Sequence, residues 1–206
     1  ALREQWLTPL LEGEIRSAYL MTEPDVASSD ATNISLSCVR DGNEYVLNGE
    51  KWWASGAGDP RCKVYIVMVN TGAADAPKHQ RHSMIVVDAV SAGIEVLRPM
   101  QVYGHDDAPH GHMHIRFTDV RVPVINLVGV EGNAFKQTMR QLEHERGGID
   151  RLVSNYALYV IARDRADTSD PRVRQEIAQH DGNALDGAHH HHLTQGLLRE
   201  HAGEVS

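Results

Sequence analysis

Three short stretches hold side chains whose types and spacing could do chemistry. The first is Ala18-Tyr-Leu-Met-Thr-Glu-Pro-Asp-Val-Ala-Ser-Ser-Asp30. A strand end of this kind is rich in hydroxyls and backbone N–H groups. It can hydrogen-bond the polar edge of a heteroaromatic ring and donate to a phosphate. The second is Asn48-Gly-Glu-Lys-Trp-Trp-Ala-Ser55. An indole laid near a planar ring shields that ring from water and fixes its plane. Neighbouring residues on a strand face opposite sides, so one of the two tryptophans reads as platform and the other as packing. The third is Glu143-His-Glu-Arg-Gly-Gly148. Two adjacent glycines inside a helix cost roughly 1 kcal/mol each relative to Ala, which a close approach of a ligand to the backbone would explain. Arg146 falls on an otherwise apolar stripe, where a charge is costly unless paired.

The histidines form a separate pattern. His110, His112 and His114 alternate, so on a strand all three point one way, and His-x-His is a recurrent metal-ligand spacing. No carboxylate or cysteine follows at a convincing spacing, and ordinary strand positions are the leading reading. His189 to His192 form a low-complexity tract.

These stretches must be positioned by two kinds of element. Residues 18–125 read as β structure. Ile34, Leu36 and Cys38 alternate with polar residues, Asp41-Gly-Asn43 turns the chain into Glu44-Tyr-Val-Leu47, and Asn48-Gly49 turns it again. Lys63 to Val69, Ser83 to Val87 and Met113-x-Ile115-x-Phe117 supply further strands, with a polar loop from Asn70 to His82. Arg121-Val-Pro123 closes the region. Short strands with frequent turns predict an antiparallel barrel or sandwich. From Gly132 the period changes. Phe135, Met139, Leu142, Arg146, Ile149, Val153, Tyr156 and Val160 lie on one face of a long helix. Thr168-Ser-Asp-Pro171 ends it and opens another. Little helical period is sustained after Ala178.

Composition bounds the function. The 206 residues are 41% hydrophobic and carry a net charge of −8. That acidity argues against a general affinity for nucleic acid or an anionic membrane. No apolar run approaches the ~20 residues a membrane helix needs. Cys38 and Cys62 are the only cysteines, which suits free thiols in a reducing, cytoplasmic setting. The chain begins at Ala1, and Ala1 to Leu11 reads as the end of a helix that starts earlier, so a fragment is expected.

Taken together, the first two stretches resemble the flavin-gripping strands of acyl-CoA dehydrogenases, and the third resembles that family's substrate-binding helix. The resemblance runs from residue 1 to about 178. It implies an α+β multi-domain fold: the tail of an N-terminal helical domain (1–17), a middle antiparallel β-barrel domain (18–128), and a long α-helix of a truncated helical bundle (129–206, with atypical text after 178). It implies FAD as cofactor and α,β-dehydrogenation of an acyl-CoA. Tyr19, Met21 and Thr22 would line the flavin ring, with Trp53 (matched through Lys51), Ala54 and Ser55 at its other side. Ser28 and Ser29 would meet a phosphate and the substrate's CoA portion. Asp25 looks like an insertion, and Val26-Ala-Ser-Ser-Asp30 replaces the family's usual Gly-Ala-Gly-Ser-Asp, so which serine takes which role is open. Glu143 would contact the CoA portion. Glu145 stands where the isovaleryl and long-chain types keep their catalytic base, with Arg146 supporting it. Other members keep the base in a later helix. In this family the 104–112 stretch holds no metal. An electron-transferring flavoprotein and further subunits are the implied partners. The alternatives are a non-catalytic β-domain remnant or partner subunit and, more distantly, a metal-binding β barrel.

Overall fold

The computed structural model describes residues 2–73, 75–147 and 156–181. It divides into two compact units, Ala1–Thr138 and Met139–Ser206.

The first unit opens with a short helical stretch, Arg3–Leu7 running into α1 (Thr8–Leu11). Seven strands follow: β1 (Arg16–Leu20), β2 (Ser37–Asp41), β3 (Glu44–Ser55), β4 (Cys62–Asn70), β5 (His82–Asp88), β6 (Ile94–Pro99) and β7 (His112–Pro123). They pair in the order β1-β4-β2-β3-β7-β6, with β5 on the remaining edge of β4. The sheet is therefore mixed rather than purely antiparallel. β1 lies parallel to the first part of β4, and β2 meets the end of the same edge in parallel at Ser37↔Asn70. Parallel neighbours need a long crossover, and the whole β2–β3 hairpin separates β1 from β4. The pairing path is open: among the described residues β5 pairs only with β4 and β6 only with β7.

The core follows from the period-2 pattern. Ala18, Leu20, Leu47, Val67, Ile85, Ile115 and Phe117 fill one buried cluster. A smaller cluster of Ile34, Met68, Met84 and Ala134 packs with Tyr19 and Met21. Alternation along β1 thus sends Ala18 and Leu20 to one layer and Tyr19 and Met21 to the other.

Two local expectations change. Asn48-Gly49 is not a turn, and β3 runs through it. Gly49 has φ +141°, the pairing with β7 slips between Leu47 and Gly49, and a Cβ there would lie 3.0 Å from the Leu36 side chain. Asn48 instead locks onto Asp119, its amide donating to the carboxylate at 3.0 Å and its carbonyl accepting from Asp119 N–H at 2.8 Å. The glycine serves a bulge and a close approach. The strand expected from Ile34 begins only at Ser37, because the Ser35 and Leu36 N–H groups donate to the Glu23 carboxylate.

Helix α2 (Ala134–Gly147) begins in the first unit and continues into the second, where α3 (Tyr156–Arg165) and a helix over 171–181 follow. Gly148, Ile149 and Val153 lie outside the described residues, as do His189 to His192 and the rest of the tail. Met139, Tyr156, Leu158 and Ile161 are exposed. The Tyr159 hydroxyl donates to the Asp181 carboxylate at 2.8 Å and lies 3.2 Å from the Ile177 carbonyl, tying α3 to the following helix.

Candidate functional site

A buried ion pair sews the first two stretches together. Lys51 Nζ lies 2.8 Å from Glu23 Oε1, with side-chain exposures of 0% and 4%. The same ammonium donates to the Met21 carbonyl at 2.8 Å. Glu23 also accepts from Ser35 N–H and Oγ and from Leu36 N–H. One residue along, Trp52 N–H donates to Thr22 O at 3.0 Å and Thr22 Oγ1 donates to Trp52 O at 2.8 Å. Residues 21–23 are thereby fixed against 51–52. Burial pushes the Lys51 ammonium down to about 8, against the upward pull of Glu23. Burial alone would raise the Glu23 carboxyl, but Lys51 and the Leu36 and Ser35 N–H groups outweigh it and hold it below its ordinary value.

The strand next bends. Lys51 pairs with Ile115 and Ala54 with Met113, so Trp52 and Trp53 together stand opposite His114 alone. This is a β-bulge, and Trp53 takes φ +53° within it. For a bulky L-residue that conformation costs roughly 1–2 kcal/mol, and such strain concentrates at functional sites. The bulge overturns the expectation that the two tryptophans face apart: their rings lie 6.4 Å from one another. Trp52 is half-buried beside His114, whereas Trp53 is 40% exposed. Ala54 points into the core, so only its backbone can meet a ligand. Ser55 Oγ lies 2.8 Å from His112 Nδ1.

The other expected residues are placed as follows. Tyr19 turns its hydroxyl to Thr138 Oγ1, 3.0 Å away, rather than toward the tryptophans. Burial raises its phenol above the ordinary value, against the lowering effect of that bond. Ser28 is consumed by its own turn: its hydroxyl accepts from Glu23 N–H and donates to the Glu23 carbonyl at 2.9 Å, with the Val26 carbonyl 3.2 Å away. Ser29, next to it, is exposed. Glu143 and Glu145 are exposed residues of α2 in the second unit. The backbone of Arg146 is helical, and its side chain is outside what the structure describes. The alternating histidines divide among separate partners: His110 with Asp59, His112 with Ser55, and His114 with Glu50. Among the described residues no three His, Cys, Asp or Glu side chains gather as metal ligands. Cys38 and Cys62 are free and buried.

Sequence reasoning missed Glu23 and Lys51 as a pair. The signal was present: Lys51 falls on the inward register of β3, in line with Leu47, where an unpaired charge would be prohibitive. It also missed the His112–Ser55 bond, which only the β3–β7 register reveals.

An exposed, strained indole on a bulge flanked by the Thr22–Trp52 bonds and the Ser55 hydroxyl is a hydrogen-bonding and stacking set that fits a flat heterocycle with a polar edge. The model of the acyl-CoA dehydrogenase middle domain matches residues 18–120, half of the chain.

The chain belongs to the acyl-CoA dehydrogenase family.

It is 53% identical over 135 residues to acyl-CoA dehydrogenase family member 11 of Gallus gallus, covering 65% of this chain and 17% of that protein. It is 54% identical over 133 residues to the probable acyl-CoA dehydrogenase FadE2 of Mycobacterium tuberculosis, covering 65% of this chain and 32% of that protein. A crystal structure of a probable acyl-CoA dehydrogenase from Mycobacterium abscessus superposes with a TM-score of 0.74 at 28% identity, covering 98% of this chain and 54% of that one. The chain thus spans between about a sixth and a half of these three relatives.

Proposed function

We propose that the chain carries the flavin-gripping half of an FAD-dependent acyl-CoA dehydrogenase that oxidises an acyl-CoA thioester between its α and β carbons. The observation that carries this reading is the Trp53 bulge, held between the Thr22–Trp52 bonds and Ser55. When bound, FAD supplies the hydride acceptor. Trp53 would cover the ring, Thr22 and Ser55 would hydrogen-bond its edge, and the Ala54 backbone would line it. Met21 and Tyr19 would back the site from the second layer. Ser28 holds the turn that presents Ser29, and Ser29 is the hydroxyl left for a phosphate or the CoA portion of the substrate. Glu143 would contact that portion, and Glu145 would take the α-proton as general base with Arg146 as its support.

An electron-transferring flavoprotein is the proposed electron acceptor, and the two free, buried thiols support a cytoplasmic setting. The exposed Met139, Tyr156, Leu158 and Ile161 support a further element of the reading: additional protein, from a longer chain or another subunit, packs on the helical unit. The second reading, a β-domain partner that does not turn over by itself, rests on that same exposure. No helix among the described residues is long and apolar enough to cross a membrane.

The test is the visible absorbance of the purified chain after FAD is added and the excess removed, followed by addition of acyl-CoA. A retained flavin band that bleaches supports the dehydrogenase. A retained band that does not bleach favours the partner reading. No retained band refutes flavin binding by this chain.

A further inference from the structure

Trp53 holds a backbone conformation that an isolated strand would abandon, so something must hold the chain on both sides of it. On the near side, Glu50 is tied to β7 by two bonds, accepting from Arg116 Nε at 2.8 Å and pairing with His114 Nε2 at 2.7 Å. On the far side the ladder resumes through Ala54↔Met113 and Ser55↔His112. At Ser55↔His112, as at Glu50↔Arg116 on the near side, backbone register and side-chain bonding coincide, Ser55 Oγ lying 2.8 Å from His112 Nδ1. The His112 ring also meets the Trp53 indole edge-on, with centroids 5.7 Å apart. One imidazole therefore touches both the platform residue and the hydroxyl two positions beyond it.

We propose that His112 is a positioning residue that holds the Trp53 platform in its bulged conformation and orients the Ser55 hydroxyl toward the flavin edge. Its consequence for the cofactor rests on the flavin reading above; its geometry does not. The chemistry of the bond makes the role specific. A serine hydroxyl has one hydrogen to give and two lone pairs. With His112 Nδ1 as one fixed partner, the hydroxyl no longer rotates freely, and its two remaining positions are fixed in direction. Without His112, the hydroxyl turns to water and Trp53 can relax toward an ordinary strand conformation, carrying its ring away from His112.

The test uses the full chain labelled with 5-fluorotryptophan, which gives fluorine resonances for Trp6, Trp52 and Trp53, assigned by single Trp→Phe changes. H112A should shift or broaden the Trp53 resonance while leaving Trp6 in place, and S55A should move it in the same sense. H112N keeps a side-chain donor and acceptor at that position and should return Trp53 toward its original frequency. In parallel, H112A should weaken FAD retention by about three- to tenfold, the loss of one hydrogen bond, and displace the visible flavin band. If H112A leaves the Trp53 resonance unmoved, the proposal is overturned. It is equally overturned if H112N, folded by its Trp6 signal, rescues nothing. If the unmutated chain takes up no FAD while H112A still moves Trp53, the flavin reading falls and the positioning of the bulge stands.

Discussion

Replacing Lys51 with Met should be among the most damaging single changes in the β unit. The side chain is completely buried, and its ammonium makes two bonds of 2.8 Å, to Glu23 Oε1 and the Met21 carbonyl. Without Lys51, Glu23 keeps its bonds from Ser35 and Leu36 but becomes a buried carboxylate with no counter-charge. Breaking a buried pair from one side costs about 3–5 kcal/mol. For a chain of this length that is a fall in Tm of roughly 6–20 °C. E23Q should cost a similar amount, because it leaves the ammonium unpaired. The double variant E23Q/K51M buries neither charge, so it should be less harmed than the sum of the singles by about 1–3 kcal/mol. Urea unfolding followed by tryptophan fluorescence gives all four stabilities. Additive losses, or a K51M loss below ~1 kcal/mol, would refute the claim that this pair holds the two stretches together. Because Met21 and Trp52 lie on either side of it, K51M should also abolish FAD retention even where the chain stays folded.

Other outcomes follow from the same geometry. Glu23 has its folded carboxyl below the ordinary 4.5, so the unfolded chain takes up that proton first as pH falls. Its contribution is intact above about pH 4.5 and is lost below it, and E23Q should remove that part of the acid slope in a pH series of urea midpoints. His82 is fully buried and bonded through Nε2 to the Ile34 carbonyl, and burial lowers its imidazole below 6.5. Stability should therefore begin to decline as pH drops below 6.5, and an H82N variant should lack that earlier component. W53G should be more stable than W53A by about 1 kcal/mol, because both lose the ring but only Gly tolerates φ +53° freely; equal urea midpoints would argue against strain at that residue. Both should lose flavin. E145Q should leave FAD bound and eliminate acyl-CoA bleaching, and continued bleaching would move the base elsewhere. Burial pushes the Cys38 thiol up to about 12, and Cys62 is raised as well. Both thiols should resist a thiol reagent at pH 8 until the chain is unfolded.

How much of this was legible in the residues depends on the range of the interaction involved. Met113, Ile115 and Phe117 were readable as one buried strand face because period-2 burial is local. β6 was missed because it is a sheet edge: Ile94, Leu97 and Pro99 are only half-buried and Glu95, Val96 and Arg98 are exposed, so the strand has no clear alternation. Asn48-Gly49 carries the local signature of a hairpin, but Asp119, far away in sequence, claims Asn48 and turns the glycine into a bulge. The start of β2 was misplaced for the same kind of reason, since the backbone of Ser35 and Leu36 answers to Glu23 rather than to a strand. The parallel placement of β1 and β2 on one edge of β4 is a non-local choice that no short window contains.

The site shows the same division, and it decides where function should be sought. Motif residues name what could bind, yet the two tryptophans read as facing apart until the β7 register is known. The bulge that brings their rings together is made by a count: two residues of β3 against one of β7. A deletion of either Trp52 or Trp53 would restore a one-to-one register, and the strand could then pair regularly from Glu50 to Ser55. Such a variant should be as stable as the parent or more so, because it sheds the φ +53° residue, while losing its hold on FAD. Strain held at Trp53, between an ion pair on one side and a histidine–serine bond on the other, is what the proposed flavin site requires and what stability alone would remove.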